Sequence, residues 1–221
     1  MTISINHISK SFGKVVALKD FTCSLTIGKA TGIIGPNGSG KSTLLNHLIG
    51  VAKADSGSID FPKNLQMLPI GLCPEESFFY DSLSIIHNLE LISTLRGNED
   101  REEISRVIEL MNLEALKKRS FKSLSLGQKQ RTKIAASLLG NPEIIILDEP
   151  HNGLDPPGFI ALRKIVKDLK SWDTTLLIAS HLLTEIRNLC DEVILIDKGE
   201  LRRHIDLTKE NDVDLESFFQ N

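Results

Sequence analysis

The chain has 221 residues, 41% of them hydrophobic and 25% charged, which excludes a disordered or fibrous protein and predicts one or two compact lobes. Its formal net charge of -3 offers no excess of positive charge for a phosphate backbone, so nucleic acid is not favoured as a partner. No apolar run approaches the ~20 residues of a bilayer helix and no secretory pattern is visible, so a cytoplasmic protein is expected. The widely spaced cysteines are expected to be buried free thiols of a reducing compartment: Cys23, Cys73 and Cys190.

The N-terminal part of the chain predicts strands and then a helix. Half-exposed strands of an antiparallel sheet are indicated by alternating apolar residues at Ile3, Ile5, Ile8, Phe21, Cys23, Leu25 and Ile27. Thr31 to Ile34 is the next strand candidate. A helix is predicted from about Lys41, because apolar side chains recur on one side of it at Leu44, Leu45, Leu48 and Ile49.

The middle of the chain changes to helical spacing, which predicts a helical sub-lobe. Its apolar positions fall into two groups, Leu83, Ile86 and Leu89 and then Ile104, Val107, Ile108 and Met111. Gly97, Asn98 and Asp100 separate the two groups and predict a break between helices.

From Glu143 onward strands and helices alternate, which predicts parallel βαβ units. The strand candidates are Ile144 to Leu147, Leu176 to Ala179 and Val193 to Ile196. A helix is predicted after Pro156 with Asp155 as its N-cap, and its apolar positions are Leu162, Ile165, Val166 and Leu169. No function is predicted for the acidic tail beyond Leu207.

A glycine-rich loop between the first predicted parallel strand and its helix suits a phosphate. It matches the pattern G-x-x-x-x-G-K-[ST], whose glycines let backbone N–H groups wrap a phosphate; in isolation the alternative is a flexible turn. Lys41 would add a full positive charge, and the Ser42 hydroxyl would bind a Mg2+ ion that bridges two phosphates. The candidate nucleotide-phosphate-binding residues of this loop are Gly35, Pro36, Asn37, Gly38, Ser39, Gly40, Lys41, Ser42 and Thr43.

Two carboxylates, Asp148 and Glu149, follow the apolar strand that begins at Ile144. They would lie at the carboxyl edge of a parallel sheet, where ligands of α/β folds bind; alone, such a pair could equally face solvent. Because adjacent side chains point in different directions, Asp148 can hold Mg2+ while Glu149 orients or deprotonates the attacking water. Loop and acids together leave kinases, GTPases and other ATPases open.

A third segment, Leu124-Ser125-Leu126-Gly127-Gln128, narrows these alternatives. Ser125 and Gln128 have the spacing of a capping box, which predicts a helix running toward Leu139. The segment resembles the signature of the ATP-binding cassette (ABC) family of ATPases, and the resemblance covers nearly the whole chain. It implies an α/β fold, a P-loop NTPase core with a mainly parallel sheet, an N-terminal antiparallel β subdomain and a helical signature subdomain.

The resemblance also implies that each ATP lies between two chains. The signature residues would face the γ-phosphate held by the second chain: Ser125, Leu126, Gly127 and Gln128. Asn152 to Asp155 resembles the loop that communicates between subunits, and His181 resembles the histidine that contacts the γ-phosphate. Phe12 occupies the place of the aromatic residue that stacks on adenine, with a core phenylalanine as the alternative. The candidate catalytic residues are Lys41, Glu149 and His181.

Three positions depart from the family pattern. Glu75 follows Pro74 where glutamine is usual, and it would add negative charge beside the metal; bacteriocin-immunity exporters of the family resemble this chain there. Leu126 replaces a signature glycine, and His151 stands where threonine or serine is common. The candidate Mg2+ ligands are Ser42, Asp148 and Glu75.

The segment Ser77 to Tyr80 puts three aromatic residues where the family docks a short helix of its membrane partner. Three adjacent aromatic side chains cannot all face one core, which favours docking of a transmembrane permease subunit, with core packing as the alternative. One ABC ATPase domain over residues 1-221 is expected, with a core lobe of about 1-73 and 141-205, a helical subdomain of about 74-140, and a tail of 206-221.

These patterns predict the ATPase half of an exporter. Two chains, expected to form a homodimer, would close around two ATP molecules with Mg2+ and drive a separate transmembrane subunit from the cytoplasmic face of the membrane. A soluble ABC-type ATPase acting on a non-transport assembly is the alternative, and a nucleotide kinase is a third. The chain has no Asn-Lys-x-Asp motif, which disfavours a GTPase.

Overall fold

The computed structural model of the chain describes residues 1–62, 70–75 and 78–210. Its strands, in chain order, are β1 (Thr2–Phe12), β2 (Val15–Thr26), β3 (Ala30–Ile34), β4 (Ser56–Asp60), β5 (Ile70–Cys73), β6 (Ile144–Asp148), β7 (Thr175–Ser180), β8 (Glu192–Asp197) and β9 (Glu200–Asp206). Its helices are α1 (Lys41–Leu48), α2 (Ile85–Leu95), α3 (Arg101–Leu110), α4 (Leu126–Ser137), α5 (Pro156–Ser171) and α6 (Leu183–Leu189). Short 3-10 turns cover Glu114–Leu116 and Phe121–Ser123. No helix found in these ranges is long and apolar enough to span a bilayer.

The larger sheet places the three strands that precede the phosphate loop, the acidic pair and His181 side by side. Across the described ranges its order is β5-β6-β7-β3-β8-β9, and all neighbouring pairs are parallel except β8 with β9. Every residue of β3, β6 and β7 is buried, which explains their continuous apolar runs. Because these strands are neighbours, the segments that follow them meet at one edge of the sheet.

A smaller antiparallel sheet has the order β2-β1-β4 in the part of the chain that the structure describes. The inward-facing residues of β1, Ile3, Ile5 and Ile8, share an apolar cluster with the leucines of α1 and residues of the larger sheet. The predicted N-terminal antiparallel sheet is therefore confirmed. The sequence does not predict β4, because Ile59 is its single apolar residue and no alternation can be seen.

The predicted helices of the middle segment are present as α2, α3 and α4, with capped N-termini. The Ser84 hydroxyl accepts from the backbone of His87 at the start of α2, and the Asp100 carboxylate caps α3. α4 begins with the predicted capping box and ends at Ser137, with Leu138 as its C-cap, and Gly140 follows with φ 82°.

The three cysteines are free thiols, as predicted from their spacing. Cys73 and Cys190 are buried and Cys23 is half-buried, so burial of all three is confirmed only in part. Burial raises the pKa of Cys23 and of Cys73 to about 12, and it also raises the pKa of Cys190.

Candidate active site

The glycine-rich loop connects β3 to α1, and its backbone lies against other main-chain atoms. Gly40 has φ 111°, and a Cβ there would lie 2.5 Å from the carbonyl oxygen of Ala17. A Cβ on Gly35 would lie 2.1 Å from the carbonyl oxygen of Ile196. Both positions therefore require glycine, and the loop can curl tightly into the N-terminus of α1, where backbone N–H groups favour an anion.

Lys41 is the first residue of α1 and its side chain is buried beneath this loop. Its Nζ donates to the carbonyl oxygens of Gly35 at 2.8 Å and Pro36 at 3.3 Å. The same Nζ lies 3.8 Å from Oε1 of Glu149. The loop and the acidic pair thus form one electrostatic unit, in which a buried cation faces a buried carboxylate.

The acidic pair stands at the end of β6 with its two side chains in different surroundings. Asp148 is the last strand residue, and its buried Oδ1 has no hydrogen-bond partner among the described residues. Burial raises the pKa of Asp148, a hydrogen bond from Ser42 opposes that rise, and the nearby carboxylate of Glu75 adds to it. A cation bound beside this oxygen would offset the unfavourable burial of the carboxylate charge.

Glu149 follows with φ 47°, in the left-handed region that side-chain-bearing residues rarely adopt. Its backbone N–H donates to the carbonyl oxygen of Ala179 on β7 at 2.9 Å, which holds this conformation. Its carboxylate Oε2 lies 2.9 Å from Nδ1 of His181, which directly follows β7. Since a carboxylate accepts, Nδ1 carries the proton of this hydrogen bond.

One cavity of about 360 Å³ joins the predicted residues. Its lining residues are Val15, Ala17, Asn37, Gly38, Gly40, Lys41, Ser42, Thr43, Glu75, Glu149, Asn152 and His181. The structure therefore brings together the phosphate loop, Glu75, Glu149 and His181, which are far apart in the sequence. Val15 and Ala17 are lining residues that the sequence analysis missed, since only the position of the β1–β2 hairpin over the loop reveals them.

Phe12 stands at the end of β1, where it pairs with the cavity residue Val15 across the hairpin. Its side chain is 56% exposed, so the alternative of a core phenylalanine is wrong. The ammonium of Lys10 lies 5.5 Å from the centre of its ring. Phe12 thus presents an exposed ring next to the cavity residue Val15.

The signature segment lies outside this cavity, at the exposed N-terminus of α4. The backbone N–H of Gln128 donates to the Ser125 hydroxyl at 3.3 Å, and the Ser125 N–H donates to the Gln128 side chain at 3.1 Å. Ser125 is exposed and Leu126 is 68% exposed, whereas Gly127 is buried against the segment from Gly153 to Asp155. Within one chain the signature therefore contacts the loop from Gly153 to Asp155, and its residues do not line the cavity.

Asp155 is held by contacts to two helices. Its Oδ1 accepts from the backbone N–H of Gly158, and this bond makes Asp155 the N-cap of α5. Its Oδ2 accepts from the Arg131 guanidinium on α4 at 3.1 Å. Arg131 also donates to the carbonyl oxygens of Met111 and Asn112. The predicted N-cap is confirmed, and the carboxylate in addition joins the loop to the signature helix.

His151 is buried just beyond the acidic pair. Its Nδ1 lies 3.5 Å from the hydroxyl of Ser180, the residue before His181, and its Nε2 has no partner in the described part of the chain. Burial lowers the pKa of His151 to about 4, so the ring is neutral at physiological pH.

The aromatic segment that ends at Tyr80 divides between core and surface. Phe79 stacks on Phe121 with ring centroids 4.8 Å apart, whereas Phe78 is 48% and Tyr80 60% exposed. Buried Asn88 accepts from the backbone N–H of Tyr80 at 2.8 Å and donates to its carbonyl, which fixes the segment. Phe79 therefore packs against the core, whereas Phe78 and Tyr80 remain exposed. Ser77, the first residue of the predicted docking segment, lies outside the described residues.

Comparisons with known proteins agree with this site. The profile of the ABC transporter family matches residues 18–152. The lantibiotic transport ATP-binding protein SrtF of Streptococcus pyogenes is 38% identical over 228 aligned positions, which cover 99% of this chain and 96% of that protein. The bacitracin transport ATP-binding protein BcrA of Bacillus licheniformis is 35% identical, over 92% of this chain and 69% of its own length.

Solved structures agree as well. A nucleotide-free ATP-binding cassette from an ABC transporter is 27% identical with a TM-score of 0.83 and covers 100% of both chains. A dimeric bacterial ABC transporter cassette is 25% identical with a TM-score of 0.82, covering 93% of this chain and 98% of that one. The predicted fold class is confirmed, and the non-transport alternative is not favoured. The chain belongs to the ABC transporter family and is an ATP-binding, ATP-hydrolysing subunit of that family.

Proposed function

We propose that two copies of this chain close head to tail around two MgATP and, from the cytoplasmic face of the membrane, power a separate transmembrane exporter subunit. The observation that carries the proposal is the cavity in which Lys41, Glu149 and His181 meet, while the signature at Ser125 lies exposed outside it. One chain thus carries both halves of a shared site, and a second copy can complete each.

The proposed roles follow from the contacts. The loop N–H groups and the buried ammonium of Lys41 bind and neutralise the phosphates. Glu149 accepts a proton from, or orients, the attacking water, and its bond to Nδ1 of His181 fixes both side chains. The Nε2 of His181 is then available toward the γ-phosphate. The exposed ring of Phe12 and the neighbouring Val15 would contact the adenine.

The residues present fit a Mg2+ ion. Asp148 has a buried, unpartnered carboxylate oxygen beside the Ser42 hydroxyl, and Mg2+ prefers oxygen ligands. Among the described residues no group of three or more histidine, cysteine or acidic side chains could hold a metal alone, so phosphate and water would complete the shell. Bound there, the ion would neutralise charge that develops on the phosphates.

Glu75 would be the third protein group near this ion. It lines the cavity, and its charge contributes to the raised pKa of Asp148. Replacing Glu75→Gln should therefore shift the Mg2+ dependence of hydrolysis. An unchanged Mg2+ curve at several pH values would reject a role for Glu75 beside the metal.

The homodimer is tested by gel filtration of Glu149→Gln with and without MgATP. Removal of the base should leave ATP binding intact and prevent the step that reopens the dimer, so MgATP should shift the protein from monomer to dimer. Adding Lys41→Ala to the same chain should abolish the shift by removing phosphate binding. A persistent monomer with confirmed ATP binding would contradict closure of two copies.

The exporter role is supported by the relatives. They include proteins described as transporting lantibiotics or bacitracin, and a linearmycin resistance ATP-binding protein of Bacillus subtilis is 32% identical over 90% of this chain. We propose an antibiotic of one of these classes as the cargo. In the native cell, Glu149→Gln should lower the inhibitory concentration of such antibiotics; unchanged sensitivity to lantibiotics, bacitracin and linearmycins would contradict this cargo.

The exposed rings of Phe78 and Tyr80 are proposed as the permease contact. Replacing both with alanine should leave the ATPase activity of the isolated chain unchanged and abolish its recovery with the membrane fraction. Trp172→Ala, at another exposed aromatic residue, is the matched control. Retention of the double variant on membranes would place the contact elsewhere.

The proposed domain organisation remains a single ABC domain. It is supported by the position of α2, α3 and α4, which are inserted in the chain between the neighbouring strands β5 and β6. Of the predicted tail, residues 211–221 lie outside the described residues.

A further inference from the structure

Lys133 is a buried lysine on the signature helix α4, with 7% of its surface exposed. Its Nζ donates to the carbonyl oxygens of Glu75 at 2.7 Å and Pro74 at 3.1 Å. A buried ammonium is unfavourable unless it is hydrogen-bonded, so these two bonds hold the segment to the helix. Lys133 and Glu75 are 58 positions apart in the sequence. Their contact joins the helix that Ser125 caps to Glu75, which stands where the family usually has glutamine.

Lys133 lies on the same rigid element as the signature. It follows the N-cap Ser125 by eight residues, which is about 12 Å along a helix axis. The neighbouring side chain of Gln130 donates to the carbonyl oxygen of Pro150, directly after the acidic pair, at 3.2 Å. A displacement of α4 therefore acts on the backbone at Glu75 and at Pro150 together.

We propose that Lys133 is a positioning residue for ATP hydrolysis. By binding the carbonyl groups of Pro74 and Glu75, it makes the signature helix and Glu75 move as one body. Ser125 then reaches the second chain's nucleotide at the same time as Glu75 reaches the metal. The inference rests on the proposed role of Glu75 and on the proposed dimer.

The variant Lys133→Met keeps the length of the side chain and removes its donor. In the Glu149→Gln background, the MgATP concentration for half-maximal dimerisation in gel filtration should rise about tenfold, which corresponds to the loss of a charged hydrogen bond. The affinity of the monomer for a fluorescent ATP analogue without Mg2+ should change less than about twofold, since the phosphate loop is untouched.

The matched control is Lys164→Met, which removes the same charge from an exposed position on α5 and should leave both curves unchanged. If Lys133→Met does not fold, Lys133→Ala is measured in the same way. A folded variant at Lys133 whose dimerisation curve equals that of the Glu149→Gln parent overturns the proposal.

Failure of this inference differs from failure of the proposed role of Glu75. If Glu75→Gln alone shifts the Mg2+ dependence of dimerisation and Lys133→Met does not, the positioning role is wrong. If neither variant shifts it, the proposed role of Glu75 is wrong as well. If both shift it and the double variant is no worse than either single variant, the two residues act as one unit, as proposed.

Discussion

Nδ1 of His181 and Oε2 of Glu149 lie 2.9 Å apart, although 32 positions separate the two residues in the sequence. The bond joins the ends of β6 and β7, which are parallel neighbours in the larger sheet. The carboxylate is buried and the imidazole is half-exposed. The histidine therefore contacts a buried carboxylate through Nδ1 and also lines the cavity.

His181→Ala should lower kcat by about 100-fold, because the variant loses both the orientation of Glu149 and a polar contact to the γ-phosphate. ATP binding by the monomer should be nearly unchanged, since Lys41 and the loop remain. Steady-state ATPase assays and equilibrium binding check the two statements. His87→Ala, at an exposed residue of α2, is the control and should behave as the wild type. Equal loss of binding and turnover in His181→Ala would contradict the assignment.

Gly127→Ala should weaken dimer closure by displacing the inter-subunit loop. A Cβ on Gly127 would lie 2.9 Å from the backbone N of Asp155 and 2.9 Å from the carbonyl oxygen of Gly153. Because both contacts are to backbone, the loop must shift, at a cost of about 1–3 kcal/mol. In the Glu149→Gln background, more MgATP should be needed for the dimer, whereas Lys122→Ala should change nothing. A dimerisation curve identical to that of the Glu149→Gln parent would show that the loop accommodates the methyl group without consequence.

His151 should make the fold sensitive to mild acid. Burial lowers its pKa to about 4 from the ordinary value of 6.5, so the unfolded chain binds the proton first as the pH falls. The free energy of unfolding is therefore unaffected by the titration of His151 above pH 6.5. It declines as the pH falls toward 4, by an amount on the order of 3 kcal/mol. His151→Thr should lose this decline between pH 7 and pH 5, measured by urea unfolding. An equal decline in wild type and variant would assign the acid sensitivity to other groups.

Glu192 should stabilise the fold through its negative charge, and this contribution should be lost at a lower pH than that of His151. Burial alone would raise its pKa, but hydrogen bonds from His204, Thr26 and Thr31 lower it to about 2. Its stabilising effect is therefore present above pH 4.5 and is lost as the pH falls toward 2. Glu192→Gln should cost about 1–3 kcal/mol at pH 7 and less at pH 3, by chemical unfolding. Glu99→Gln, at an exposed position, is the control; a cost independent of pH would contradict the role of the charge.

The parts of the fold that the sequence predicts are those with a local signal. The buried strands β3, β6, β7 and β8 have continuous apolar runs, and α5 has Asp155 before Pro156. By contrast, β4, β5, α6 and β9 are short or polar, with sequences such as ELRRHID for β9. These elements form because a neighbouring strand pairs with them or a neighbouring element packs against them. The residue pattern within each segment does not reveal these contacts.

The same distinction holds for the site. The phosphate loop, Asp148 and Glu149 carry motifs whose spacing depends on local chemistry, so their residues can be named from the sequence. Val15, Ala17 and Lys133 carry no motif: the first two depend on how a hairpin crosses the loop, and the last on packing of α4 against β5. Contacts of this kind are set by tertiary structure, and a single sequence does not reveal them.

The raised pKa values of Cys23, Cys73 and Cys190 also make this chain convenient to label. A thiol reacts as the thiolate, so at neutral pH the native cysteines should be almost inert to maleimides. A cysteine introduced at exposed Lys122, outside the signature residues, would then be the main reactive thiol without removal of any native one. Spin labels or fluorophores attached there could follow the opening and closing of the proposed dimer in real time.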